Sequence, residues 1–142
     1  MSARKPIVIY DTTLRDGAQG PAVSFSAADK ERIARALDAL GFDYVEGGFP
    51  GSNPKDEELF ARLAAEPLKN AKLAAFGATR RANGTCADDV NLKALVESGA
   101  PVWTLVGKSD AWQVSNVLQT TTNENLARWR SPSPTGPAWV AR

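Results

Sequence analysis

One pattern, returning at a regular interval, constrains the fold more than any other feature of this chain. A short apolar run ends in a polar or glycine-bearing turn, and an amphipathic stretch closed by glycine follows. Ile7, Val8, Ile9 and Tyr10 make the first run. Ser26 then stands as a helix cap, with Asp29 in the position of a capping-box acid. Ile33, Leu37 and Leu40, joined by Ala34, fall on one face of that helix. Lys30, Glu31 and Asp38 are expected elsewhere around the cylinder, and Gly41 ends it. A second strand covers residues 44–46. Asn53 and Pro54 open the next helix, with apolar face Leu59, Phe60, Leu63 and Ala64. Residues 72–76 read as a third strand, and Asp88 and Asp89 open a helix through Leu92, Leu95 and Val96 to Gly99. Residues 102–106 form a fourth strand, with a fourth helix somewhere between 111 and 126. Four units of roughly 30 residues predict an α/β fold of parallel (β/α) units.

Composition excludes several functions. The net charge is +1, which points to neither nucleic-acid nor anionic-membrane partners. No apolar run approaches the about 18 residues of a membrane span, so no membrane partner is expected. Cys86 is the single cysteine, so no intrachain disulfide can form, and a cytoplasmic location is expected. The sequence holds no histidine. That removes Ser-His-Asp and Cys-His catalysis, together with the usual imidazole ligands of zinc. Any metal site would need carboxylates, carbonyls and water.

The first turn carries the richest chemistry. Residues 11–20 read Asp-Thr-Thr-Leu-Arg-Asp-Gly-Ala-Gln-Gly directly after the first strand. In parallel α/β sheets and barrels the C-terminal strand end is where chemistry is placed. Arg15 sets a permanent cation beside Asp16, a carboxylate suited to a hard or borderline metal, and Gln19 offers a neutral amide. An exposed Arg–Asp surface pair of little energetic weight is the alternative.

This string resembles the opening motif of the metal-dependent acyl-CoA condensing enzymes, the isopropylmalate, homocitrate and citramalate synthase family. Residues 44–56 (YVEGGFPGSNPKD), 76–81 (FGATRR) and 106–109 (VGKS) are similar to the citramalate synthase branch in particular. The resemblance implies about half of a TIM (β/α)8 barrel, residues 1–127 being the N-terminal half of a pyruvate carboxyltransferase-like domain. It implies condensation of acetyl-CoA with a 2-oxo acid, pyruvate, in branched-chain amino-acid biosynthesis, by an enzyme that is a homodimer. It gives Asp16 as a ligand of a divalent metal (Mg, Mn or Zn) and Arg15 as a cation at the reacting oxygen. Gln19 would orient the substrate, and Glu46 would act as a general base or hold Arg15 in place; a structural ion pair is the alternative. Thr79, with Arg80 and Arg81, would meet a carboxylate or the CoA phosphates, unless the arginines are simply an exposed basic pair.

The family completes its metal site with a His-x-His pair on a later strand, which this sequence lacks, so tight metal binding by this chain is not expected. Residues 128–142 hold three prolines and three arginines and no acid, and form a divergent tail expected to be disordered or extended. Its onset in mid-helix suggests a reading-frame shift and early stop, with a natural linker or short interaction tail as the alternative. A closed barrel takes about 250 residues and eight strands. A half-barrel would leave its first and fourth strands as open edges, so the isolated chain is expected to be an inactive fragment of a citramalate-synthase-like enzyme; the alternatives are a non-catalytic module that pairs through those edges and a fragment of an isopropylmalate synthase or related lyase.

Overall fold

The computed structural model describes residues 7–130 and the backbone of residues 139–141. Strands and helices alternate as β1 (Tyr10–Asp11), α1 (Ala27–Ala39), β2 (Tyr44–Gly48), α2 (Pro54–Ala65), β3 (Lys72–Ala78), α3 (Val90–Glu97) and β4 (Val102–Val106). Two short helices, α4 (Ala111–Asn116) and α5 (Thr122–Arg130), precede β5 (Trp139–Ala141). All neighbouring strands are parallel, in the order β1-β2-β3-β4-β5.

The helix boundaries follow from local chemistry. Ser26 accepts from Asp29 N while the Asp29 carboxylate accepts from Ser26 N, so both arms of a capping box are made. At the other end, Gly41 N donates to Asp38 O and Phe42 N to Leu37 O, with Gly41 at φ +85°. This is a Schellman close, and the left-handed position requires a residue without a Cβ penalty. Asn53 and Asp89 cap α2 and α3 through their side chains.

Alternation along the strands separates two faces. Val45, Leu73, Ala75, Trp103 and Leu105 pack against Ala34 of α1, Leu59, Phe60 and Leu63 of α2, and Leu92 and Leu95 of α3. The opposite face carries Tyr10, Glu46, Phe76 and Thr104, with Glu46 opposite Ala74 and Phe76 opposite Thr104. The core therefore lies on the helix side, and the other side is left for polar side chains.

Several expectations are corrected. The first strand is shorter than residues 7–10, because its ladder begins only where β2 can pair with it. Ile9 N donates to the Asp43 carboxylate and Ile9 O accepts from Asp43 N and Tyr44 N, while Ile7 is 89% exposed. On α1 the buried positions are Ala27, Lys30, Ala34 and Asp38, whereas Leu40 is exposed. Lys30 and Asp38 share a helical face with Ala34 at i±4 and turn inward because each finds a polar partner there. The single fourth helix is two helices, separated by a turn in which Gln119 takes φ +51°. β4 has a parallel backbone neighbour in β5, so β4 is not an open edge. The remainder of the tail, residues 131–138 and 142, lies outside the described residues.

Candidate functional site

The loop after β1 is wound tightly. The Thr12 carbonyl accepts from the backbone N–H of Arg15, Asp16 and Gly17. Leu14 between them is fully buried, anchoring the loop in the core. The turn brings Arg15 back over the polar face of the sheet. Arg15 Nε donates to Glu46 Oε2 at 2.7 Å, and Nη1 to Asp16 Oδ1 at 3.0 Å. The guanidinium carbon lies 4.1 Å from the centre of the Phe76 ring. Tyr10 donates its phenol proton to Glu46 Oε1 at 2.8 Å. Its oxygen is also bonded to Thr104 Oγ1, so with the phenol proton committed to Glu46 the threonine acts as donor. Residues from four adjacent strands thus meet around one buried carboxylate.

The geometry separates the roles open for Glu46. Its side chain is 1% exposed, and both oxygens are occupied, one by a cation and one by a hydroxyl. As placed, this carboxylate holds the arginine. Arg15, fixed at Nε and stacked on Phe76, keeps Nη2 without a hydrogen-bond partner among the described residues. A cavity of about 180 Å³ is lined by Arg15, Gln19, Phe49 and Phe76, with Lys30 and Asp56 at its wall. Gln19 is therefore brought to the space beside Arg15.

Thr79 follows the end of β3 on the same rim and is tied through its backbone, N–H to Val106 O and carbonyl to Arg128 Nη2. Arg80 is not an exposed cation. It is 8% exposed and donates to Glu124 Oε1 at 2.7 Å and to Arg81 O. That hydrogen bond, together with the N–H of Asn83, holds the Glu124 carboxyl below its usual range. Arg81 remains exposed.

Asp16 is the member suited to a metal, with 57% of its side chain exposed and Oδ1 already shared with Arg15. Among the described residues no three His, Cys, Asp or Glu side chains come together. A catalytic metal centre ordinarily takes about three protein ligands. The described residues therefore do not fit a complete centre. Sequence reasoning missed Tyr10, Phe76 and Thr104. For Thr104 there was a signal, a hydroxyl at the middle of an otherwise apolar strand run; for Phe76 there was none, since an aromatic in a strand reads as core.

An open parallel βα sheet with helices on one face and an arginine–carboxylate cluster on the other defines a partial (β/α) barrel. Residues 6–131 match the family described as HMGL-like, and the chain belongs to that family. It is 52% identical over 120 residues to (R)-citramalate synthase of Streptomyces coelicolor, covering 84% of this chain and 22% of that protein. It is also 52% identical over 58 residues to 2-isopropylmalate synthase of Carboxydothermus hydrogenoformans, covering 41% of this chain and 11% of that one. A crystal structure of hydroxymethylglutaryl-CoA lyase from Pseudomonas aeruginosa superposes with a TM-score of 0.63 at 24% identity, covering 91% of this chain and 41% of that chain. This likeness establishes the shared fold. The chain spans about a fifth of the length of the citramalate synthase it matches. Among the described residues no helix is long and apolar enough to cross a membrane.

Proposed function

We propose that Arg15 is the substrate-binding cation of a citramalate-synthase-type site, at which acetyl-CoA condenses with pyruvate. The observation that carries this reading is the guanidinium held by Glu46 and Phe76 beside a cavity shared with Gln19, its Nη2 having no hydrogen-bond partner among the described residues. A fixed arginine fork matches the planar carboxylate or carbonyl end of a 2-oxo acid. Because Glu46 and Phe76 already hold it, no reorganisation is needed when the carbonyl oxygen gains negative charge during attack by the acetyl carbon. Gln19 would orient the acid from the facing wall, and Thr79 would extend the contact along the rim. Asp16 is the metal ligand that this part of the family's site would contribute. The identity to citramalate synthase across most of the chain favours pyruvate over a bulkier 2-oxo acid.

Binding and turnover are tested separately. Pyruvate titrated into the 15N-labelled chain is expected to shift Arg15 and Gln19 side-chain resonances, and Arg15→Met is expected to weaken that binding about tenfold or more. Equal binding by Arg15→Met would sink the assignment, and tighter binding of a branched 2-oxo acid would move it to an isopropylmalate synthase-type reaction. The 142-residue chain is expected to release no thiol from acetyl-CoA, with pyruvate and Mg²⁺ or Mn²⁺, above an Asp16→Ala control.

A further inference from the structure

At the wall of the same cavity lies a second buried ion pair that the proposed chemistry does not use. Lys30 on α1 is 3% exposed and Asp56 in the first turn of α2 is 5% exposed. The ammonium of Lys30 is bonded directly to Asp56 Oδ1 and also reaches Gly47 O at 3.3 Å. Asp56 Oδ2 accepts from Phe49 N at 2.9 Å. The pair therefore grips the loop after Glu46 at two points, one carbonyl and one N–H. Gly48 between those points sits at φ +149°, and a Cβ there would fall on the Asp56 carboxylate. The gripped segment leads to the site by two routes. Glu46 precedes Gly47 directly, and the Phe49 ring meets Phe76 edge to face at 5.8 Å, beneath the Arg15 guanidinium.

The geometry points to Lys30 and Asp56 as positioning residues that fix the direction of Arg15 through Gly47–Phe49 and Phe76. Stability alone does not account for a buried pair, since apolar residues of similar volume commonly replace one at no cost. Orientation does, because a carboxylate-binding fork loses its advantage when it can rotate. The functional meaning rests on reading Arg15 as the carboxylate-binding group, but the positioning itself can be measured without substrate.

The measurement is hydrogen exchange at the Arg15 Nε–H in the full 15N-labelled chain, its resonance assigned by its loss in Arg15→Lys. In the wild type this proton, donated to a buried carboxylate, is expected to exchange slowly. Lys30→Met/Asp56→Leu is expected to keep or raise the thermal midpoint while Arg15 exchange quickens at least roughly tenfold. Phe49→Leu leaves the ion pair intact, cuts the ring contact and is expected to quicken exchange in the same direction; it decides the matter if the double variant does not fold. Unchanged Arg15 exchange in either folded variant would overturn the proposal and leave the pair a structural one. Should exchange respond while pyruvate fails to bind even the wild type, the positioning stands and the substrate reading falls.

Discussion

A carboxylate that is 1% exposed must have its charge met by donors, and Glu46 meets it with the Arg15 guanidinium and the Tyr10 hydroxyl. Each is a different kind of bond. Both are charge-assisted, but Arg15–Glu46 joins two charges at 2.7 Å, whereas Tyr10 brings a neutral donor to the carboxylate. Glu46→Gln preserves shape but removes the charge, and its amide NH₂ cannot accept from Arg15 Nε. We expect a loss of about 1.5–3 kcal/mol in urea-unfolding free energy, because the arginine is then partly buried without its counter-charge. Tyr10→Phe should cost about 1.5 kcal/mol, the lower end for a bond to a charged group, leaving Thr104 to satisfy itself elsewhere. A Tyr10→Phe loss exceeding that of Glu46→Gln would show the hydroxyl, not the cation, to be the main partner. The motif around Arg15 and Asp16 was legible because glycines and charges cluster there in one string. That Tyr10, Phe76 and Thr104 converge there was not legible, since their meeting depends on strand register between segments up to 94 positions apart.

Among the elements, α1 shows most plainly that polarity alone does not say which face is buried. Its last turn reaches the loop that feeds β3, where Asp38 Oδ1 accepts from the N–H of Asn70 and Ala71 and Oδ2 from that of Lys69. Three backbone donors with no strand or helix partner are satisfied by one side chain, which explains why an acid occupies a buried helical position. Burial by itself would raise the Asp38 carboxyl above its ordinary value of 3.8, but the bonds from Ala71, Lys69 and Asn70 together bring it below. A depressed native value makes the contribution of Asp38 to stability complete above about pH 3.8 and lost as pH falls through the native value. Urea midpoints of the wild type should therefore fall across that acidic window more steeply than those of Asp38→Asn, which has no proton to gain. Parallel profiles would remove Asp38 from the acid response. At neutral pH the same variant should already be weaker, since an amide offers one acceptor oxygen in place of two.

Across the whole molecule, one apolar layer joins the outer face of the sheet to three helices. Phe60, Leu59 and Leu95 are at most 1% exposed, and the layer includes Val45 on β2, Leu73 on β3 and Trp103 on β4. Phe60→Ala is expected to cost about 3–5 kcal/mol, and far-UV and tryptophan signals should shift together because the layer is continuous. Separate transitions would mean that the sheet and helices unfold as independent units. The alternation of the first four strands with the first three helices, the caps at Ser26, Asn53 and Asp89 and the placing of Arg15 and Asp16 at a strand end were contained in the sequence, because each depends on residues within one turn or one strand of each other. What only the tertiary structure decided was which charges go inside. Lys30 pairs with Asp56 across 26 positions and Arg15 with Glu46 across 31, so their desolvation is repaid only once the helices and strands are packed. Before that contact exists, a lysine or glutamate in the chain looks the same as any solvated one.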